Sequence, residues 1–549
     1  MSPPADPGVR SGLPPVRLIM SGAVVGQELA AEFGPLPPAL LPVGVRKLYE
    51  LQLDTLGSGG EGGAVGPVWL VLPESFALSP FDAERLAGRQ VEVVPIPDGL
   101  RLGEAVAYAL NAIGAGDAPV HILHGDTLIA DPPVGADDVI VGGQRTSEYA
   151  WAEMELDEEG RVIALVNAGA GEAGHPDWPV AAGYFAFASG LDLLRSLTRM
   201  RGDFVGGVNH YLAGHPVRGF EAETWLDFGH LQTFFQSRLA VTTARAFNTV
   251  TIDGLTARKA SADSAKIWAE THWLQEAPPD VQVYCARLLG FGAEHGRVFY
   301  ETEYEFLPVL SELFVHGAIG RAPWLRILAS CEAFLHACAA HRGPGSGDAA
   351  LRSLAADKTL ARLEAFARAT GFDIEAPLSL AGAPRPSLVA MAERLVPAYD
   401  LASGRPETLM HGDLCFSNLL YDSRVRRIKA IDPRGLVADR PTLYGDLRYD
   451  LAKLAHSVVG RYDQIIAGRY RAAGHGHDFS LEYEEIGCQA WLSGALRDLV
   501  VDGVGGLSLP VRAVMCSLFL SMLPLHADRP DRQTAFVANA LRLFGDLDL

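Results

Sequence analysis

The chain reads Met410-His411-Gly412-Asp413-Leu414-Cys415-Phe416-Ser417-Asn418-Leu419-Leu420 and then Ile428-Lys429-Ala430-Ile431-Asp432-Pro433-Arg434-Gly435. An aspartate, an asparagine five positions later and a second aspartate after an apolar run have the residue types and spacing of a phosphoryl-transfer site. Asp413 is predicted to accept the proton of an attacking hydroxyl, and Asn418 and Asp432 are predicted to hold Mg²⁺ against the phosphates of ATP. The alternative is a turn in which Asp413 and Asn418 only cap backbone groups.

Short apolar segments flank this loop at residues 408–410 and 428–431, and they are predicted to be strands that hold it in place. The loop closely resembles the His-Gly-Asp-x-x-x-x-Asn and Ile-Asp pattern of the aminoglycoside phosphotransferase and choline kinase family. Residues 444–454, Tyr-Gly-Asp-Leu-Arg-Tyr-Asp-Leu-Ala-Lys-Leu, resemble that family's Gly-Asp-x-x-x-Asp-Leu-Ala segment. The resemblance implies a kinase-like α+β domain that uses ATP and Mg²⁺ to phosphorylate a hydroxyl of a small molecule. Asp446 and Asp450 either face the acceptor pocket or cap a helix.

Residues before the loop supply the other parts of such a site. Residues 249–259 alternate like a hairpin around an Asp-Gly pair, a strong turn signal, and residues 265–274 form an amphipathic helical pattern. Lys259 on the strand is predicted to grip the phosphates of ATP, and Glu270 on the helix is predicted to orient it. Lys266, four positions before Glu270, is the alternative partner in an exposed helix pair.

The rest of the second half carries weaker signals. Residues 298–307 resemble the strand and hinge that carry the adenine ring in the kinase family. Arg434 is interpreted either as a contact to a phosphate or an anionic acceptor, or as an exposed turn arginine. Residues 343–348, Gly-Pro-Gly-Ser-Gly-Asp, are predicted to be a flexible insertion. From residue 451 to residue 549 the pattern is mostly helical.

The first half of the chain alternates strand-like and helical patterns, which predicts an α/β layer with a mainly parallel sheet. Ligands bind at the carboxyl ends of such strands, and Asp126 lies in the loop that follows the strand at residues 120–123. Asp227 lies in a similar loop later in the chain. Two carboxylates brought together would bind one Mg²⁺ and leave sites for triphosphate oxygens. The alternative for either aspartate alone is a turn or cap residue.

Four segments of residues 16–240 resemble the sugar-phosphate nucleotidyltransferase family. They are Leu40-Leu41-Pro42-Val43, Gly125-Asp126, Ala182-Gly183-Tyr184-Phe185-Ala186-Phe187 and Trp225-Leu226-Asp227-Phe228-Gly229. The resemblance implies a Rossmann-like fold in which Asp126 and Asp227 hold the metal and Gly183 lies against the sugar phosphate. It also implies a second nucleoside triphosphate, CTP or another, as a substrate of this half.

The opening loop departs from that family. Where the family has Leu-Ala-Ala-Gly-x-Gly-x-Arg, this chain has Ser21-Gly22-Ala23-Val24-Val25-Gly26-Gln27, and Gly22 is the residue expected to contact the nucleotide. The basic residue expected before Leu40 is also absent, although a cation there would neutralise the triphosphate and stabilise the leaving pyrophosphate. Arg46 or Lys47 would have to take its place.

The composition of the chain indicates which kinds of protein it can be. The 549 residues are 48% hydrophobic and 20% charged, with a net charge of −20, which is typical of globular domains and argues against a nucleic-acid partner. The six cysteines show no paired spacing and are expected to be free thiols in a reducing compartment. No secretion signal is predicted at the N-terminus, and the longest apolar run, residues 513–523, is too short to cross a bilayer. These features predict a cytoplasmic protein with no membrane insertion.

The sequence therefore predicts two fused domains. A disordered N-terminus at residues 1–15 precedes a nucleotidyltransferase-like domain at residues 16–240. A kinase-like domain follows at residues 241–549, with a small lobe at about residues 245–310 and a large lobe at about residues 311–549.

Two functions follow from this organisation. In the first, the kinase phosphorylates a hydroxylated small molecule and the nucleotidyltransferase joins the resulting phosphomonoester to a nucleotide, for surface polysaccharide or cell-envelope precursors. In the second, only the kinase is active and the first domain is a binding or regulatory module. The sequence specifies neither the acceptor, nor the base of the second triphosphate, nor an oligomeric state.

Overall fold

The computed structural model describes residues 13–57, 67–114, 116, 118–145, 149, 151–167, 175, 177–243, 249–547 and 549. Most of the N-terminus predicted to be disordered, residues 1–12, lies outside the described residues. The chain divides into two compact units, Met1–Val241 and Thr242–Leu549.

The first unit is an α/β structure. Its strands are β1 (Val16–Met20), β2 (Pro42–Val43), β3 (Arg46–Lys47), β4 (Val68–Pro73), β5 (Val91–Ile96), β6 (Val120–His124), β7 (Thr127–Ile129), β8 (Val139–Gly143), β9 (Ala152–Leu156), β10 (Val162–Asn167), β11 (Val180–Phe187), β12 (Arg218–Glu221) and β13 (Trp225–Asp227). Its helices are α1 (Gln27–Phe33), α2 (Leu48–Gly57), α3 (Pro80–Gly88), α4 (Leu102–Ile113), α5 (Gly190–Arg199), α6 (Phe204–Leu212) and α7 (Leu231–Thr243).

A nine-stranded sheet forms the centre of this unit, with the order β10-β9-β11-β6-β1-β4-β5. In addition, β8 pairs with β11, and β12 pairs with β8. The strands β6, β1, β4 and β5 run parallel to one another, whereas β11 is antiparallel to its neighbours β6 and β8. The sheet is thus a parallel, doubly wound core with an antiparallel extension. The predicted α/β fold class describes this unit.

Helices cover both faces of the sheet. On β1, Leu18 packs with α4, α5 and α6, while Ile19 points to the other face and packs with α2 and α3. All five residues of β1 are buried, as expected for a central parallel strand with a layer of helices on each side. This burial fixes the carboxyl ends of β1 and β6 next to each other, since Met20 pairs with His124.

The second unit is an α+β structure. Its strands are β14 (Thr249–Asp253), β15 (Thr256–Ser261), β16 (Leu288–Glu294), β17 (Arg297–Glu303), β18 (Arg342–Ser346), β19 (Leu378–Leu380), β20 (Ala383–Arg385), β21 (Pro406–Leu409), β22 (Leu419–Asp422), β23 (Arg427–Ala430), β24 (Leu436–Val437), β25 (Arg440–Pro441), β26 (Tyr444–Gly445), β27 (Tyr470–His475), β28 (Asp478–Tyr483), β29 (Val500–Val501) and β30 (Val504–Gly505). Its helices are α8 (Ser264–Glu276), α9 (Pro279–Gln282), α10 (Leu310–Val315), α11 (Arg321–Ala340), α12 (Gly347–Leu351), α13 (Lys358–Thr370), α14 (Leu388–Ala398), α15 (Leu447–Val458), α16 (Tyr462–Ile466), α17 (Gln489–Asp498), α18 (Leu509–Met522) and α19 (Pro530–Gly545).

An antiparallel sheet of order β14-β15-β17-β16 opens this unit, and α8 packs against it. Asp263 caps α8 by accepting a hydrogen bond from the backbone of Lys266, which satisfies one of the free amides at the start of the helix. Trp273 near the end of α8 is fully buried, and its indole nitrogen donates to the carbonyl of Met410, 2.8 Å away. The helix is therefore tied directly to the loop that starts at His411.

One prediction of local structure in this unit was wrong. Residues 343–348 are not a flexible insertion, because β18 pairs with β21 and α12 begins at Gly347. Its glycines permit close packing: a Cβ on Gly345 would lie 2.6 Å from a carboxylate oxygen of Glu407. The mostly helical region after residue 451 also contains the hairpin of β27 and β28.

Helix α18 is the core helix of the second unit and packs against α13, α14, α15 and α19. Within the described residues, the stretch Leu509–His526 is the one helical segment long and apolar enough to cross a membrane, and 67% of it is buried. A helix that is apolar on all sides and packed by four others is expected in the middle of a helical layer. Its composition is explained by this packing. All six cysteines are free.

Candidate functional sites in the two units

The loop that carries Asp413 is held by Asp450 of α15. The buried Asp450 carboxylate accepts hydrogen bonds from the backbone amides of His411 (2.8 Å) and Gly412 (2.7 Å). Burial raises the pKa of Asp450 to about 7, although both amides favour the ionised form. Asp450 therefore anchors the backbone of the loop and does not face an acceptor pocket.

His411 adds a second restraint to the same loop. Its Nδ1 accepts a hydrogen bond from the backbone amide of Asp413, 3.3 Å away, so the ring is an acceptor on that side. Burial lowers the pKa of His411 to about 4, which keeps the imidazole neutral and able to accept at neutral pH. The backbone of Asp413 is thus fixed from one side by this ring.

The Asp413 carboxylate lies between a lysine and an amide. Lys453 of α15 forms an ion pair with one oxygen at 2.8 Å, and the Asn418 side-chain amide donates to the other at 3.0 Å. Burial favours the neutral acid, but Lys453 outweighs it and holds the pKa of Asp413 well below its usual range. The side chain is still 39% exposed. Asp413 is therefore anionic and accessible, as a side chain that accepts a hydroxyl proton must be.

Asp432 lies at the end of the second predicted segment and is held in an unusual backbone conformation. Its φ is +55°, a region that non-glycine residues rarely adopt and that occurs often at functional sites. One carboxylate oxygen contacts Lys259 Nζ at 3.1 Å and accepts from the Tyr300 hydroxyl at 3.0 Å. The side chain is 42% exposed. One side of Asp432 is thus fixed while the other is accessible.

Lys259 and Glu270 form a buried ion pair across β15 and α8, with Nζ 2.8 Å from Oε2. Burial would lower the pKa of Lys259, but Asp432 and Glu270 together raise it above its usual value. Lys266 also approaches Glu270, at 3.8 Å, but its side chain is half exposed. Of the two alternatives that the sequence left open, the structure places Lys259 beside Asp432 and Lys266 on the outer face of α8.

A cavity of about 210 Å³ extends from Lys259 and Asp432 towards the end of β17. Its walls are largely apolar, and it reaches residues 303–305 at the end of the strand and just after it, within the region predicted to carry adenine. An apolar cavity with a cation at one end suits a nucleotide base and its phosphates. The lining residues are Val250, Ile252, Ala257, Lys259, Leu274, Ala286, Tyr300, Thr302, Glu303, Tyr304, Glu305, Leu420, Ile431 and Asp432.

The side-chain oxygens of Asn418 and Asp432 that have no partner within the described residues suit Mg²⁺ as ligands. Asn418 uses its amide nitrogen to bond Asp413, and within the described chain its side-chain oxygen takes no hydrogen bond. Asp432 uses one oxygen for Lys259 and Tyr300, and within the same residues its other oxygen has no partner. Carboxylate and amide oxygens together with phosphates and water are the ligands that Mg²⁺ prefers. Asn418 and Asp432 would hold the ion.

Arg434 is partly buried and lies against the loop that carries Asp413. Its backbone amide donates to the carbonyl of His411 at 2.8 Å, and a Cβ on Gly412 would lie 2.6 Å from its own Cβ. Gly412 has a φ of +78°, so glycine is required there by both conformation and space. The guanidinium Nε donates to the carbonyl of Leu436 at 3.0 Å. Arg434 is consequently a neighbour of Asp413.

Asp446 has a structural role. It caps α15 by accepting from the backbone amide of Arg448, and both of its oxygens accept from the Arg448 guanidinium. Arg448 is almost completely buried and also bonds Asp348 and the carbonyls of Tyr399 and Asp400. A buried charge network of this kind is tolerated because every partner is satisfied.

In the first unit, Asp126 and Asp227 come together where the loop after β6 meets β13. A Cβ on Gly229 would lie 2.5 Å from Asp126 Oδ2 and 3.2 Å from Asp227 Oδ1. Burial raises the pKa of Asp126, and the charge of Asp227 raises it further, against His124. The pair predicted from sequence therefore shares one small region of this unit.

The carboxylates of Asp126 and Asp227 differ in the hydrogen bonds that they already accept within the described residues. Asp227 accepts from the backbone of Gly229 (3.0 Å), from His230 (2.8 Å) and from the Thr233 hydroxyl (2.6 Å). Asp126 accepts a long hydrogen bond from the Thr127 hydroxyl at 3.3 Å, and its own backbone amide favours the ionised form. Because each carboxylate oxygen can accept twice, the pair still fits one Mg²⁺, with Asp126 as the more available ligand. Among the described residues, no group of three or more His, Cys, Asp or Glu side chains is arranged to hold a metal by itself.

Gly22 and Gly183 line different parts of this region. A Cβ on Gly22 would collide with Ile96 at 2.3 Å, so the loop after β1 packs closely on β5. Gly183 has a φ of +87°, and a Cβ there would lie 2.7 Å from the Thr127 hydroxyl and 3.2 Å from His124. Gly183 is thus next to the loop that carries Asp126, whereas Gly22 is explained by packing against Ile96.

The two cations considered as substitutes for the missing basic residue are already paired. Arg46 donates to Asp54 at 2.6 Å and to the carbonyl of Glu50 at 2.7 Å. Lys47 is buried and forms an ion pair with Asp82. Neither is free to neutralise a triphosphate without losing a carboxylate partner.

Two residues at the kinase-like site were not identified from the sequence. Lys453 lies 40 positions after its partner Asp413, in the segment at residues 444–454, where the sequence assigned it no role. Tyr300 is buried on β17 and donates to both Glu270 and Asp432 at 3.0 Å. A tyrosine in a β-branched and aromatic strand carries no signal for this role, since the pattern predicts only a strand.

No family model matches the chain, and no curated protein matches it. Similar solved structures include a UTP-bound UGPase from Acinetobacter baumannii (15% identity, 43% of this chain and 95% of that chain, TM-score 0.33). A second is HddC from Yersinia pseudotuberculosis complexed with GMP-PN (13% identity, 42% of this chain and 100% of that chain, TM-score 0.31). A third is a thermostable mutant of the aminoglycoside phosphotransferase APH(4)-Ia with AMP-PNP and hygromycin B (12% identity, 54% of this chain and 87% of that chain, TM-score 0.35). The similar structures are nucleotidyltransferases and phosphotransferases that cover different parts of this chain.

Proposed function

We propose that the second unit is a kinase that transfers the γ-phosphoryl group of ATP to a hydroxyl of a small molecule. The observation that supports this most is the convergence of Asp413, Asn418 and Asp432 with the Lys259–Glu270 ion pair beside an apolar cavity. Bound Mg²⁺ would neutralise charge on the phosphates during transfer. Lys259 would bind phosphate oxygens, and Asp413 would orient the acceptor hydroxyl and take its proton.

We further propose that the first unit transfers a nucleotidyl group to the phosphomonoester that the kinase makes, with release of pyrophosphate. The convergence of Asp126 and Asp227 supports this proposal. The kinase step would come first although its unit comes second in the chain. Fusion would raise the concentration of the intermediate near the second site without a channel. A role in surface polysaccharide or cell-envelope precursors belongs to the same proposal, since such precursors are nucleotide-linked.

The competing proposal is that the first unit has no catalytic activity and serves as a binding or regulatory module. The pairing of Arg46 with Asp54 and of Lys47 with Asp82 supports it, because these lysine and arginine side chains are not free for a triphosphate. Incubation of the full chain with each nucleoside triphosphate, with and without candidate phosphomonoesters, separates the two. Pyrophosphate release supports nucleotidyl transfer, and its absence with every combination leaves the kinase-only function.

Two variants test the order of steps. Asp413→Ala is expected to abolish nucleotide-linked product from the free acceptor but to leave it intact when the phosphorylated acceptor is supplied. Asp126→Ala is expected to do the reverse, so that the phosphomonoester accumulates. If both variants fail with the phosphorylated acceptor, or neither does, the sequential proposal is wrong.

A further inference from the structure

Three cations that have no carboxylate partner within the described residues lie within electrostatic reach of one another. They are Lys358 and Arg362 on α13 and Arg434 after the Asp432 segment. Two of them, Lys358 and Arg434, are also within electrostatic reach of Asp413. Within the described chain none of the three forms an ion pair with a carboxylate. This is unusual in a chain with 66 acidic and 46 basic residues, where a surface cation easily finds an acidic neighbour.

Within the described residues, these three side chains donate few of their N–H groups to hydrogen bonds. Arg362 donates one terminal nitrogen to the carbonyl of Ser521 at 3.0 Å, and Arg434 donates Nε to Leu436. The Lys358 side chain has no hydrogen bond within the described residues. Several N–H groups of the cluster therefore remain available to an anion. The planar guanidinium groups are suited to a carboxylate or a phosphate.

The cations repel one another. Lys358 is partly buried, and burial, Arg434, Arg362 and Lys453 all lower its pKa, to about 6, with Asp413 opposing them. Asp413 is already paired with Lys453 at 2.8 Å, so it offsets the repulsion among the cations only in part. Side chains in electrostatically unfavourable surroundings are typical of functional sites, because a bound ligand of opposite charge relieves the repulsion.

The backbone at this point is also irregular. A π-helical turn, Arg352–Asp357, immediately precedes Lys358 and leads into α13. Single π-helical turns inside α-helices occur often at functional sites, because they shift the side chains that follow. Here the π-helical turn lies directly before the helix that carries Lys358 and Arg362.

We propose that the acceptor of the kinase carries an anionic group, a carboxylate or a phosphate, which Lys358, Arg362 and Arg434 bind while Asp413 receives the proton of its hydroxyl. The reaction then joins the acceptor oxygen to the γ-phosphorus of ATP, breaks the bond to the β-phosphate oxygen and releases ADP, with the hydroxyl proton on Asp413. This inference rests on the proposed kinase function, because it assigns the acceptor side of that site. It excludes cationic and neutral acceptors as the preferred substrates.

The deciding experiment measures binding of inorganic phosphate to the full chain saturated with Mg²⁺ and AMP-PNP, so that the nucleotide's phosphate positions are filled. Calorimetry should show phosphate binding to the wild type and at least tenfold weaker binding to Lys358→Gln/Arg362→Gln. The matched control is Arg368→Gln, an exposed arginine on the same helix, which should bind like the wild type. Absence of phosphate binding to the wild type, or equal binding to the double variant, would overturn the proposal.

Turnover then identifies the anion. Matched sets of glycerol, glycerate and glycerol 3-phosphate, and of glucose, gluconate and glucose 6-phosphate, are offered as acceptors with ATP and Mg²⁺. Faster phosphorylation of the carboxylates or of the phosphates than of the neutral members supports the proposal and shows which group is bound. Preference for the neutral members overturns it. Failure of the chain to bind Mg²⁺–AMP-PNP at all would instead contradict the kinase function, so the two failures are distinguishable.

Discussion

Basic side chains at the two candidate sites have different partners. In the first unit, Arg46 and Lys47 are paired with carboxylates, whereas Lys358 and Arg362 in the second unit lack such a partner within the described chain. An unpaired, partly buried cation is unfavourable for the free protein, and such a residue is retained where a ligand supplies the missing charge. The contrast teaches that residue type alone does not indicate an anion site; the partner that each cation already has decides it.

The largest expected effect is a loss of kcat at the second of these two sites, when the Asp413 carboxylate is removed. Asp413→Ala should reduce kcat of phosphoryl transfer by about 10²–10⁴-fold, because a positioned proton acceptor contributes about that much. The protein should remain folded, since Asp413 is partly exposed. Transfer of label from ATP to the acceptor is the measurement, and Asp528→Ala, an exposed aspartate, is the control. Near-normal kcat in Asp413→Ala would remove this residue from the mechanism.

The second effect distinguishes the roles of Lys259 and Lys266, which both contact the Glu270 carboxylate. Lys259→Met should lower kcat/KM by about 10²-fold, because Lys259 lies beside Asp432 at 3.1 Å and loss of one electrostatic contact to the transferring group typically costs this much. Lys266→Met should stay within about threefold, as expected for an exposed helix pair. Steady-state kinetics with varied ATP measure both. Equal losses in the two variants would show that the role of Lys259 has been misassigned.

A smaller effect concerns stability. Asp450→Asn should lower the free energy of unfolding by about 1–3 kcal/mol, since an amide has one acceptor oxygen for the two buried amides of His411 and Gly412, and an unsatisfied buried donor costs about that much. Urea unfolding of this variant is compared with that of Asp528→Asn. An unchanged midpoint in Asp450→Asn would show that Asp450 does not anchor the loop.

The smallest effect is a dependence on pH. Lys358 has a pKa of about 6, with Arg362 on its own helix, Arg434, Lys453 and Asp413 facing it. Above pH 6 the free protein therefore holds a mostly neutral amine, and a bound anion must draw a proton onto it. The acceptor KM should rise between pH 6 and pH 8, by at most about tenfold per unit. In Lys358→Met the rise should be smaller, and identical profiles would contradict the role of Lys358.

The Lys358→Met variant also tests whether Lys358 destabilises the folded protein when no anion is bound. Because the pKa of Lys358 is lower in the folded than in the unfolded chain, the unfolded chain binds the extra proton at neutral pH, which disfavours folding there. Lys358→Met removes this difference and should raise the Tm at pH 7 by a few degrees. A lower Tm would mean that Lys358 stabilises the fold.

Short-range patterns made part of this architecture predictable from the sequence. Asp413 and Asn418 lie five residues apart, so a single loop places them together, and the hairpin of β14 and β15 follows from one Asp-Gly turn. Strand β18 was missed because its Gly-Pro-Gly composition indicates a loop, and only its pairing with β21 makes it a strand. The partnership of Lys453 with Asp413 depends on where α15 packs, which local spacing does not specify.

The most direct test of the central claim follows the γ-phosphorus of ATP by ³¹P NMR with the full chain, Mg²⁺ and a mixture of hydroxylated carboxylates and phosphates. The account predicts that the γ-phosphorus appears in a new phosphomonoester with wild-type protein and stays in ATP with Asp413→Ala. It also predicts no transfer when EDTA removes the metal ion. A γ-phosphorus that remains in ATP with the wild type under all these conditions, or that moves equally well with Asp413→Ala, would contradict the account.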